Sequence, residues 1–212
     1  MSPLIYRHSI LMHTSNTTDI PRIGPNAIIR VAEALTAQYN NPELTAQIFT
    51  TAGLTHYLTA LPTQMVPETE VTALAAALRQ HLDADAARAV SHDAGQRTGD
   101  YLLAHRIPKP AQRVLRLLPP ALACRMLLKA IEKNAWTFVG SGHYHFNLRR
   151  PVQITIAHCP LCRDATAPQP ICDFYVGAFE RLCQTLVSRR TQVTEIACQA
   201  AGAPACVFEL RW

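Results

Sequence analysis

The sequence predicts an α+β fold, with N-terminal helices followed by a β-β-α-β-β antiparallel sheet that has helices packed on one face. Three observations carry that expectation. Apolar residues recur at helical spacing up to about residue 135, the period changes to two from Trp136, and one further helical stretch separates two pairs of strands. With 212 residues and 49% hydrophobic content, the chain can bury one sizeable core and is too apolar to be disordered. A single domain is expected over 21–212, helical over 21–135 and sheet-forming over 136–212. A flexible polar arm at 1–20 precedes it.

Pro25 to Tyr39 reads as the first helix, with proline in its first turn and Ile28, Val31 and Leu35 on one face. Asn40-Asn41-Pro42 breaks it. Glu43 to Ala52 is a second helix stopped by Gly53, Glu68 to His81 a third, and Asp83 to His105 a fourth. The fourth carries Ala86, Ala87, Ala94, Gly95 and Gly99. Glycine inside a helix costs stability, so this face is expected either to pack tightly or to make room for a ligand. Pro108, Pro110, Pro119 and Pro120 punctuate two short helices that end near Asn134. Alternation from Trp136 to Leu148 predicts a strand, Val152 to His158 a second, Cys172 to Ser188 a helix, and the remainder a final hairpin.

No secretory signal is read at the N-terminus, and no run of eighteen apolar residues spans a membrane. The odd cysteine count, seven, points to a reducing compartment and to metal rather than disulfides. The expected location is cytoplasmic. The formal charge of +5 is concentrated in Arg106, Lys109, Arg113, Arg116, Arg125, Lys129 and Lys133. These residues read as a solvated helix face or as a peripheral contact with anionic lipid at the cytoplasmic membrane face. Nucleic acid is not an expected partner, because no binding motif accompanies the charge.

The chemistry concentrates at the C-terminus. Cys172, Glu195, Cys198 and Cys206 offer three thiolates and a carboxylate, a complete tetrahedral set for zinc. Two ligands before a turn and one after it clip a hairpin, and a full set leaves no position for an activating water, so the zinc is expected to be structural. A rival set takes the Cys159-Pro-Leu-Cys162 knuckle together with Cys198 and Cys206. No Gly-x-Gly-x-x-Gly turn, P-loop, iron–sulfur cysteine spacing or Gly-x-Ser-x-Gly elbow is present.

The pattern from Cys172 through Glu195-x-x-Cys198 to Cys206-x-Phe208 resembles the signature of the 4-vinyl reductase domain family. That family includes a bacteriochlorophyll-biosynthesis protein and the sensor domains of phenol-responsive transcription activators, and it shares its ligand-binding fold with a TRAPP subunit. The length of the chain and the opening Arg22-Ile-Gly-Pro-Asn-Ala-Ile-Ile-Arg resemble the bacteriochlorophyll branch. The resemblance implies structural zinc on the four residues just named. It also implies a magnesium porphyrin intermediate as bound ligand, delivered without catalysis to a bacteriochlorophyll-pathway enzyme, and it makes a homodimer plausible. The alternatives are the 8-vinyl reductase activity that the family's name asserts and, more weakly, an assembly scaffold. A porphyrin needs aromatic walls, small residues and an axial imidazole. Trp136 and Phe138 are the expected wall, Gly95 and Gly99 the space for the ring, and His105, His143 and His145 the candidate axial ligands.

Overall fold

The computed structural model describes residues 20–212, so all but the end of the expected N-terminal arm lies outside the described residues. Strand β1 (Arg22–Ile23) pairs antiparallel with β2 (Val66–Pro67) and ties the start of the domain to its third helix. Between them lie α1 (Asn26–Tyr39) and α2 (Pro42–Thr51). Ile28, Val31 and Leu35 of α1 are buried, as their spacing predicts. Asn41 caps α2 by accepting the Leu44 N–H, and Pro42 occupies the first turn, where its missing N–H costs nothing. Helices α3 (Glu68–His81), α4 (Ala84–His105), α5 (Lys109–Leu117) and α6 (Pro120–Lys133) follow, then the single turn α7 (Trp136–Val139). Asp83 caps α4 through the Ala86 N–H.

The second half is a four-stranded sheet in the order β3-β4-β6-β5, antiparallel throughout. Its strands are β3 (His143–Asn147), β4 (Val152–Ala157), β5 (Gln192–Ala197) and β6 (Cys206–Arg211). Helix α8 (Asp173–Leu186) joins the two hairpins and covers one sheet face. Ile154, Ile156, Phe208 and Leu210 point to that face and are buried beneath Tyr175, Phe179 and Leu182. Each such side chain contributes about 1.5–3 kcal/mol on removal from water. Helix α4 then packs on the outside of α8. The expected fold class is the observed one.

Two features depart from the sequence reading. The strand predicted from Trp136 begins only at His143, and Trp136–Val139 is instead the helical turn α7. Trp, Thr, Phe and Val favour strands, but tertiary contacts override that preference here. The Thr137 N–H and hydroxyl both donate to the Asn134 carbonyl, and Gly140 turns the chain at φ +57° beside Glu68. The small face of α4 is the second departure, because it is closed. A Cβ at Gly95 would stand 2.1 Å from the Phe174 carbonyl oxygen of α8, and one at Gly99 would stand 2.8 Å from the Arg181 Cβ. Gly177 of α8 answers from the other side, where a Cβ would meet the His92 carbonyl at 2.2 Å. The glycines therefore serve close helix–helix approach, and the space assigned to a ring is occupied by backbone.

Candidate functional site

Five of the seven cysteines meet at one end of the sheet, all buried. Cys172 sits at the N-terminus of α8. Cys198 follows β5 after a bulge between Glu195 and Ala197, and Cys206 opens β6. Cys159 and Cys162 flank a single turn of 3₁₀ helix, Pro160–Cys162, in which residues three apart eclipse each other. The sulfur of Cys172 lies 3.9 Å from that of Cys198 and 3.7 Å from that of Cys206, and Cys198 and Cys206 are 3.8 Å apart. Four ligands at a Zn–S distance of about 2.3 Å define a tetrahedron with edges of about 3.8 Å.

Glu195 completes one donor set. Its Oε2 accepts the Cys172 N–H at 2.7 Å, while its Oε1 is buried without a hydrogen-bond partner. Burial pushes the Glu195 carboxyl up to about 8; the Cys172 N–H opposes that rise and the Cys198 sulfur adds to it. An orphaned buried carboxylate oxygen facing three sulfurs fits a divalent cation, whose charge would restore the ionised form. Cys172, Glu195, Cys198 and Cys206 bring one ligand atom each within 4.8 Å of one another, and so do Cys159, Cys162, Cys172 and Cys206. A metal ion can be held here. The rival quartet of Cys159 and Cys162 with Cys198 and Cys206 is not one of these two sets. Sequence reasoning treated the knuckle and the hairpin as competitors, whereas the fold brings both to the same place.

Beside the cluster, Arg79 of α3 donates to the Leu161 carbonyl, and Thr72 donates to that of Pro160 at 2.7 Å. A second polar junction joins α3 to the sheet. Glu68 is buried, and its carboxylate accepts the Ser141 N–H and hydroxyl, both at 2.8 Å, as well as the Arg163 guanidinium. Nothing in the sequence singled out Glu68, Arg79 or Arg163, because their roles arise only from contacts between distant segments. Cys124 and Cys183 are ordinary buried thiols away from the cluster, and burial pushes Cys124 up to about 11.

The residues proposed for a porphyrin are not gathered into one pocket. Trp136 is 63% exposed, whereas Phe138 is half-buried and packs edge-on against Tyr144, Tyr175 and Phe179. His105 is exposed at the end of α4 beside Tyr101. His143 and His145 are exposed on the sheet face opposite α8. A cavity between α1, α3 and α8, lined by Val31, Leu74 and Phe174 among others, has a volume of about 20 Å³ and is far too small for a tetrapyrrole.

The fold and the cysteine–glutamate hairpin define the class. The 4-vinyl reductase domain model matches residues 152–212, the stretch that contains the sheet core and the metal ligands. Over 189 residues the chain is 41% identical to the bacteriochlorophyll synthase 23 kDa chain of Cereibacter sphaeroides, covering 89% of this chain and 90% of that one. It is 38% identical over 192 residues to the protein of the same name from Rhodobacter capsulatus, covering 91% and 88%. The chain belongs to the family of bacteriochlorophyll synthase 23 kDa chains. A solved H-NOX protein from S. oneidensis is similar with a TM-score of 0.48 and 14% identity, covering 89% of this chain and 98% of that one, a likeness too distant to bear on the site.

Proposed function

We propose that this protein acts in bacteriochlorophyll biosynthesis as a non-catalytic carrier that binds a magnesium porphyrin intermediate and delivers it to a pathway enzyme. The observation that carries the reading is the kinship with two bacteriochlorophyll synthase 23 kDa chains, which extends over nearly the whole of each chain. The sequence supports the carrier role by lacking a nucleotide or flavin fingerprint, since reduction of a carbon–carbon double bond needs a bound hydride or electron source. The exposed imidazoles of His143 and His145 are the axial ligands of choice, because they lie on a sheet face that no helix covers among the described residues. Binding then occurs on an open face that the partner enzyme closes, which suits a ligand that must be handed over.

Structural zinc on Cys172, Glu195, Cys198 and Cys206 belongs to the same reading. The carboxylate and three thiolates would fill all four positions and hold the β5–β6 hairpin to the start of α8. Cys198→Ser should lose the metal and destabilise that hairpin, because binding energy at such a site is folding energy.

The location proposed is cytoplasmic, with peripheral contact at the membrane. Val114, Leu117, Leu122 and Met126 are exposed on α5 and α6, among the exposed Lys109, Arg113, Arg125 and Lys129. Apolar side chains interspersed with cations suit an anionic lipid surface.

Protein isolated from a cell that makes bacteriochlorophyll tests the carrier role. The expected material carries a Soret band that extracts as a magnesium tetrapyrrole and shows no turnover of divinyl substrate with nicotinamide, flavin or ferredoxin donors. Sustained turnover would establish the 8-vinyl reductase alternative instead.

A further inference from the structure

A single ion in the Cys172–Glu195–Cys198–Cys206 set leaves a chemical remainder. Cys159 and Cys162 are buried thiols, 1% and 3% exposed. The Cys159 sulfur lies 3.6 Å from that of Cys172, and the Cys162 sulfur 3.4 Å from that of Cys206. The two donor sets share Cys172 and Cys206 and differ in the other pair. We propose that the site is a binuclear thiolate centre for two zinc-like divalent cations, with Cys172 and Cys206 as bridging ligands. One ion takes Glu195 and Cys198 as its terminal ligands. The other takes Cys159 and Cys162. This inference rests on the single-ion reading above and adds a second site to it.

The geometry meets the requirements of two tetrahedra that share an edge. The shared edge, Cys172 to Cys206, is 3.7 Å, and the terminal sulfurs that approach it do so at 3.4–3.9 Å. These lengths lie close to the edge of about 3.8 Å expected for tetrahedral zinc–thiolate coordination. A thiolate keeps enough lone pairs to bind two soft or borderline cations at once. Charge also balances. The second cation enters as two thiols release their protons to solvent, so the centre gains no net charge by becoming binuclear. Arg79 lies within electrostatic reach of Cys172, Cys162, Cys198 and Cys159, and it is the cation that faces the cluster from α3.

The knuckle is built to present its sulfurs. Thr72 and Arg79 hold the Pro160 and Leu161 carbonyls, and Gln199 Oε1 accepts the Cys159 N–H at 2.8 Å. Gln199 follows Cys198 directly, so the backbone of one terminal pair is fastened to the side chain beside the other. Without a second ion, this fastening would bury two reactive thiols against a zinc site for no gain in coordination.

The test is metal content by native mass spectrometry and elemental analysis on the full chain, purified anaerobically with reductant. Two zinc ions per chain are expected, falling to one in Cys159→Ser and in Cys162→Ser. One zinc in the wild type, unchanged in both variants, overturns the binuclear centre and leaves the single-ion reading standing. No metal in the wild type sinks both. Cadmium-113 substitution of the wild type gives a check that needs no variant to fold. Two resonances are expected, with β-protons of Cys172 and Cys206 correlating to both, and a single resonance contradicts the proposal.

Discussion

Glu68 holds three donors from two segments far from it in sequence: the Ser141 N–H, the Ser141 hydroxyl and the Arg163 guanidinium. Burial alone would raise its pKa, but Arg163 and the two Ser141 bonds outweigh burial and hold the carboxyl below its ordinary value. A carboxylate with a depressed folded pKa adds stability that is fully present above the unfolded pKa and is lost as the pH falls through the folded one. Stability should therefore decline on acidification below the ordinary carboxylate pKa, and the Glu68→Gln variant should show a shallower decline over that interval. At neutral pH the variant should be less stable by about 1–3 kcal/mol, because it leaves Arg163 without its charge partner. Urea unfolding at several pH values reads both effects, and parallel pH profiles for the two proteins would contradict this role. No pattern in the sequence announces Glu68. The hairpin ligands, by contrast, were legible from residue type and spacing, because Glu195, Cys198 and Cys206 are close in sequence and only Cys172 is distant. The approach of Cys159 and Cys162 to the same point was not legible, since it depends on how β4 and β6 register, with Ile156 opposite Cys206.

At the scale of elements, the α4–α8 contact is the tightest in the molecule to describe in physical terms. Gly95 and Gly177 let two helix backbones touch, each filling the space where the other residue's neighbours would meet a Cβ. Gly95→Ala removes a helix-weakening glycine, a gain of about 1 kcal/mol in isolation. Here it must force the Phe174 carbonyl away from 2.1 Å, and backbone cannot yield as a flexible side chain can. Overpacking of this kind costs typically about 1–3 kcal/mol. The variant should melt at lower temperature despite its better helix propensity, and an unchanged or raised melting temperature would mean that the contact is loose enough to admit a ligand. The helix order and the two hairpins were readable from periodicity. The α7 turn was not, because alternation of apolar residues over Trp136–Val139 mimics a strand, and only the Asn134 carbonyl and the bend at Gly140 decide otherwise.

At the scale of the whole molecule, two exposed faces differ in chemistry. The α5–α6 face combines Leu117, 86% exposed, with a row of lysines and arginines. Among the described residues no helix is long and apolar enough to cross a membrane. The protein should therefore sediment with vesicles that contain anionic lipid, release at high salt, and ignore neutral vesicles. Arg113→Glu together with Lys129→Glu should abolish the sedimentation, and equal binding to neutral vesicles would refute the electrostatic account. The opposite sheet face carries His143 and His145, two strand residues apart on one side of β3. The carrier account stands or falls on whether a magnesium porphyrin binds. Magnesium protoporphyrin monomethyl ester titrated into micromolar protein should shift and sharpen its Soret band with a clear endpoint, and the shift should shrink in the His143→Ala, His145→Ala double variant while the far-ultraviolet circular dichroism stays the same. A Soret band that the wild-type protein leaves unchanged across the titration would contradict the account.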